Sequence, residues 1–91
     1  MTKLFLNSKH VKLDIYTACK YHATEDVFEN CTTVEYDYCT GFEVVHGSAA
    51  SIIEAESDGS CIDDYHEYLV LFFEDGDTAT FRNSYADLFV I

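Results

Sequence analysis

The sequence contains no proline, so its turns fall to glycine, asparagine and aspartate. It has little basic charge, with 5 lysines and arginines against 17 acids and a net charge of −12. That shortage is uneven. Lys3, Lys9, Lys12 and Lys20 stand in the first twenty positions beside the single acid Asp14, and Arg82 alone follows them. From position 21 onward the balance is −15. Such a body disfavours direct binding to nucleic acid or to an anionic membrane, because phosphates and lipid headgroups repel it. Long apolar runs are lacking too; nothing approaches the ~20 residues that span a bilayer. The start "MTKLFLNSKHVKLD" has neither a signal-peptide apolar region nor a small-residue cleavage site, which makes the cytoplasm the expected location.

What remains is the composition of a folded chain. Apolar residues make up 48% and aromatics 15%, well above the range of disorder. Ninety-one residues suffice for a single domain, 1–91, with one modest core. Cys19, Cys31, Cys39 and Cys61 are expected to be reduced in a cytosolic protein, although an even count allows two disulfides in an oxidising compartment, with three connectivities.

The patterning predicts a mainly β fold: an antiparallel sheet of five or six strands curled into a small barrel or sandwich, with one short helix. Asp58-Gly59 and Asp75-Gly76 are the strongest turn signals, and Thr40-Gly41 and Asn7-Ser8 are weaker ones. "KLFLNSKHVKLDIYTA" is expected to form a hairpin about Asn7-Ser8. In "TVEYDYC", Val34, Tyr36 and Tyr38 alternate with Glu35, Asp37 and Cys39, the period of a half-buried strand, which places the tyrosines inward. "EVVHGSAASIIEAES" is expected as one strand, or two, bent at Gly47. "EYLVLFF" predicts a central strand covered on both faces, with Leu69, Leu71 and Phe73 or their alternates buried, joined to "TATFR" through Asp75-Gly76. "YADLFVI" closes the domain as a turn and strand or a helical turn. In "ATEDVFEN", Thr24 can cap a helix whose first turn carries Glu25 and Asp26, with Val27 and Phe28 toward the core.

The order of strands and turns from "EVVHGSAASIIEAES" onward resembles the small Src-homology-type or Tudor-like barrels. That resemblance covers about half the chain and rests on spacing and turns. It departs from nucleic-acid-binding members in lacking a basic surface.

Several constellations compete with simpler explanations. Cys19 and His22 in "CKYH" have a ligand-like spacing, but Cys31 and Cys39 are separated by a strand-like segment, so small buried thiols account for the set better than zinc. "EDGDT" supplies Glu74, Asp75 and Asp77 without the calcium-loop register, and a tight turn explains it. Glu43, His46 and Ser48 lie close in sequence without a nucleophile elbow, so no enzyme is expected. No metal and no cofactor are expected either.

The acids carry the strongest signal. Residues i and i+2 of a strand share a face ~6.6 Å apart, which pairs Glu35 with Asp37 and Glu54 with Glu56. Asp58, Asp63, Asp64, Glu74, Asp75 and Asp77 extend these rows, interleaved with Tyr36, Tyr38, Tyr65 and Tyr68. Duplex DNA offers a phosphate per ~3.4 Å of axis on each strand, so carboxylate rows of this pitch suit a protein built to hold phosphates. A soluble small domain ordinarily carries a charge of magnitude ~2–8, and this body exceeds it.

In charge, length and tyrosine content the chain resembles the small acidic inhibitors of bacterial viruses that mimic nucleic acid and block host or defence proteins. The resemblance implies a basic nucleic-acid-binding protein as partner, and it assigns no residue a role. The expected contacts are Glu35, Asp37, Glu54, Glu56, Asp58, Asp63, Asp64, Tyr65, Tyr68, Glu74, Asp75 and Asp77. The basic arm leaves a bipartite contact or a homodimer open. A competing class is a Tudor-like interaction module with an aromatic and acidic cage, drawn from Tyr65, Tyr68, Phe72 and Asp64 or from Tyr36, Tyr38 and Asp37. Inward-facing tyrosines count against the second set. A structural subunit of a larger assembly is the third reading.

Overall fold

The computed structural model describes residues 4–22, 24–49 and 55–91. Strands β1 (Leu4–Ile15), β2 (Thr32–His46), β3 (Glu67–Phe73), β4 (Thr78–Arg82) and β5 (Ala86–Val90) form one antiparallel sheet in the order β4-β3-β2-β1-β5. Helix α1 (Glu25–Glu29) lies between β1 and β2, and 3₁₀ turns follow β2 and β4 at Gly47–Ala49 and Asn83–Tyr85. The fold is mainly β, as the alternation predicts.

"EYLVLFF" becomes β3 because both of its faces find apolar cover. Leu69 and Leu71 point into the main core with Val11, Leu13, Cys39, Ala79 and Ala86. Tyr68 and Val70 point the other way, onto Val45, with Ile62 and Phe72 packed against them. Fully burying a side chain such as Leu71 contributes about 1.5–3 kcal/mol. The main core takes in Phe81 of β4 and Leu88 of β5, the two outer strands, so the sheet curls around it.

It does not close into a barrel. The backbone N–H of Ser57 donates to the Thr80 carbonyl (2.7 Å), and the Thr80 N–H donates to the Ser57 hydroxyl (2.9 Å). The Asp58-Gly59 turn, with Gly59 at φ +90° and an Ala55–Cys61 bridge, thereby covers the edge of β4 that closure requires.

Three local expectations are corrected, and a fourth, for "EVVHGSAASIIEAES", is met at Gly47 and otherwise falls on residues outside the described ones. No hairpin forms about Asn7-Ser8; β1 runs through it, and shifts in register between Phe5, Lys9 and Val11 absorb the irregular residues. Thr40-Gly41 is likewise not a turn but a register shift inside β2. "EVVHGSAASIIEAES" ends its strand at His46, enters the 3₁₀ turn at Gly47, and continues into residues 50–54, outside the described ones. In α1, Thr24 makes no side-chain cap bond and no residue is buried; one turn is too short to present a core face. Phe28 instead lies edge-on against Tyr16, with ring centroids 5.0 Å apart.

Candidate partner-binding surface

The acids gather at the two ends of the β3–β4 hairpin. Six steps along β3 separate Glu67 from Phe73, or roughly 20 Å.

At the Phe73 end the chain turns through Asp75-Gly76, where Gly76 takes φ +90°. Asp75 Oδ1 accepts the Asp77 N–H at 2.9 Å, and the Phe73 N–H donates to the Asp77 carbonyl at 3.0 Å. Cys39 pairs with Phe73, so this turn lies beside the middle of β2, and the Glu74 N–H reaches the Tyr38 carbonyl at 3.1 Å. There the alternation of β2 breaks. Tyr38 adopts φ +62°, and this extra residue turns Cys39 into the core and Tyr38 outward, 63% exposed. Tyr36 stays partly buried, with its ring 5.4 Å from that of Phe73. The expectation that both tyrosines face inward is therefore corrected for Tyr38. Tyr36, Asp37, Tyr38, Phe73, Glu74, Asp75 and Asp77 line a cleft of about 420 Å³.

Glu35 and Asp37 share an exposed face, as their spacing requires, and His10 of β1 sits between them. Its Nε2 lies 3.2 Å from Glu35 Oε1, and its Nδ1 bonds Asp37 Oδ1. These bonds, Asp37 first and Glu35 second, raise the His10 pKa above 6.5. Protonated His10 therefore adds stability at pH below 6.5, and that contribution is lost as pH rises through the raised value. Comparing urea midpoints of the parent and His10→Gln across that window should show a gap that narrows as pH rises. A gap independent of pH would contradict the clasp.

At the Glu67 end the acids do structural work. Asp63 Oδ1 accepts the backbone N–H of Tyr65 (2.9 Å) and of His66 (3.0 Å), and it faces His66 Nδ1 at 2.7 Å. The Tyr65 backbone bond and the His66 side chain hold its pKa below the usual carboxylate range. Asp58 Oδ1 accepts the Ser60 N–H at 2.8 Å, which lowers its pKa too. Glu56 is drawn inward, with a side chain 12% exposed and 3.7 Å from Arg82 Nε, and burial raises its pKa. Arg82 also reaches Asp63 at 3.6 Å, so the cation of the acidic body is held internally.

Of the expected contacts, Glu35, Asp37, Asp58, Asp64, Tyr65, Glu74, Asp75 and Asp77 are exposed. Tyr68 is not available to a partner. It is fully buried in β3, and its hydroxyl accepts the Asp63 N–H at 3.0 Å. The cage drawn from Tyr65, Tyr68, Phe72 and Asp64 loses its central ring accordingly, while Tyr36, Asp37 and Tyr38 do line one cleft. Glu54 lies outside the described residues.

Sequence reasoning missed His10, Arg82 and Asp87. Asp87 Oδ1 accepts from Lys20 Nζ (2.9 Å) and its Oδ2 from the Tyr16 hydroxyl (2.7 Å). Burial opposes charge on Asp87, but these two bonds prevail and lower its pKa. Lys20 thus pins β5 rather than extending a basic arm. The contacts of His10, Tyr16 and Lys20 span 25 or more residues and follow from the pairing of β1 with β2 and β5, whereas Arg82 meets Glu56 and Asp63 from the end of β4.

Glu43 and His46 stand an odd number of residues apart in β2, on opposite faces, while His46 Nδ1 and the Ser48 hydroxyl are 2.7 Å apart. The four cysteines are free thiols, with Cys39 buried in the core. Among the described residues, no cluster of three histidines, cysteines or acids is arranged to hold a metal, and no helix is long and apolar enough to cross a membrane. Comparison with known protein families, curated proteins and solved structures finds no match, which leaves this geometry to speak for the site.

Proposed function

We propose that the protein is a non-catalytic acidic inhibitor that occupies a basic nucleic-acid groove of a host or bacterial defence protein. By presenting carboxylates where phosphates would lie, it denies that groove to DNA or RNA in the host cytoplasm. One observation carries this reading: exposed acids crowd both ends of the β3–β4 hairpin, roughly 20 Å apart, while Arg82 and Lys20 are engaged internally. Complementary charge steers association and fixes register, and salt screens it beyond ~10 Å at about 0.1 M.

The experiment is affinity capture from a bacterial lysate, followed by competition of the captured protein between this chain and its nucleic acid. Mutually exclusive binding, weakening as salt rises, is expected. A stable ternary complex of protein, partner and nucleic acid would overturn the reading.

A further inference from the structure

Tyr38 combines a bulky side chain with a positive φ, and that backbone places its ring opposite the β3–β4 turn. The cleft between them has an aromatic wall of Tyr36, Tyr38 and Phe73 and an acidic rim of Asp37, Glu74, Asp75 and Asp77. Among the described residues no basic side chain lines it, and His10 bonds Asp37 without being part of the lining. Its volume of about 420 Å³ falls within the ~300–1,000 Å³ of sites that enclose a small ligand group. Aromatic faces attract cations through the ring quadrupole, and the carboxylates add charge and acceptors at the same place.

Among biological cations the guanidinium fits both parts best. It is planar, stacks on aromatic rings, sheds water more readily than an ammonium, and carries five donors in a fork that matches a carboxylate. We propose that this cleft receives one arginine side chain of the basic partner. The inference rests on the reading of a basic partner and names which of its cations acts as the anchor. Arginine suits the anchor of an interface because it fills and neutralises a pocket that surrounding contacts dry.

The test is a nuclear magnetic resonance titration of the full chain with N-acetyl-arginine amide, alongside the blocked amides of lysine, trimethyl-lysine and citrulline. Arginine should shift the amides of residues 36–38 and 74–78 saturably, citrulline should not, and both ammonium ligands should bind more weakly. Tyr38→Gly keeps the backbone conformation that glycine prefers and removes the ring; it should weaken arginine binding about tenfold. Asp77→Asn should weaken it as well, with the spectrum otherwise retained. Absence of saturable shifts at those amides up to roughly 50 mM ligand overturns the proposal. So does lysine or trimethyl-lysine binding as tightly as arginine, or an affinity that Tyr38→Gly leaves unchanged. Exclusion of nucleic acid can fail while this titration succeeds, and the reverse, so the two readings fail separately.

Discussion

Combining Asp64→Lys, Glu67→Lys, Glu74→Lys and Asp77→Lys is expected to cut affinity for the basic partner by at least ~100-fold without unfolding the domain. Each replacement shifts the charge by two, taking the chain from −12 to −4. All four side chains are exposed, two at each end of the β3–β4 hairpin. An exposed ion pair contributes only ~0.2–1 kcal/mol, so neutralising one acid should matter little. Reversal does more, because it sets lysines against the partner's cations, and such like-charge contacts cost several kcal/mol together. Asp58, Asp63 and Asp75 are left in place because they accept backbone N–H groups of their own turns. Replacing them would confuse a lost contact with a damaged loop. The measurement is a binding isotherm at several salt concentrations, with circular dichroism as the check on folding. Four neutral amides at the same positions should give an intermediate affinity and a shallower salt slope. A lysine variant that binds as tightly as the parent, with the same salt dependence, removes the charge-mimicry reading.

The features legible in the sequence were those set by short-range rules. Asp75-Gly76 predicts a hairpin because glycine accepts the positive φ, and the turn carries φ +90° there. "EYLVLFF" predicts a strand buried on both faces, and Tyr68, Leu69, Val70 and Leu71 are all buried. Illegible features depended on register. A positive φ at Tyr38 puts Cys39 into the core in its place, a second shift before Gly41 returns Phe42 and Val44 to the face of Tyr36, and no local signal marks a tyrosine for that conformation. The same bend turns a tyrosine expected in the core into the wall of a cleft. His10 looked like any polar strand residue until the pairing of Val11 with Tyr36 set it among Glu35 and Asp37. Counting acids located the charge of the surface, but not which acids were already occupied. Glu56 and Asp63 differ from Asp64 and Asp77 only in what the fold brings near them.

Gly47→Ala should destabilise the domain by about 3 kcal/mol, combining overpacking with a lost buried hydrogen bond. The reason is close approach. A Cβ at this position would lie 1.7 Å from the Asp63 carbonyl oxygen and 3.2 Å from the Tyr68 ring. Backbone cannot yield as a flexible side chain does, so the 62–66 loop must move away. Three bonds hold it: the Gly47 N–H to the His66 carbonyl at 2.8 Å, the Asp63 N–H to the Tyr68 hydroxyl at 3.0 Å, and the His66 N–H to Asp63 at 3.0 Å. Moving the loop strips the buried Tyr68 hydroxyl of its donor and uncovers Ile62 and Val70. Small domains have only ~5–15 kcal/mol of stability in total, so this loss is readily seen in a urea midpoint. Tyr68→Phe provides the second half of a double-mutant cycle. If the loop shift acts partly through that hydroxyl, the two changes together should cost less than their sum. Amide exchange should quicken at residues 62–66 before it does along β3 and β4. A Gly47→Ala protein within ~0.5 kcal/mol of the parent, with those amides unchanged, would mean that the 62–66 loop is not seated on Gly47.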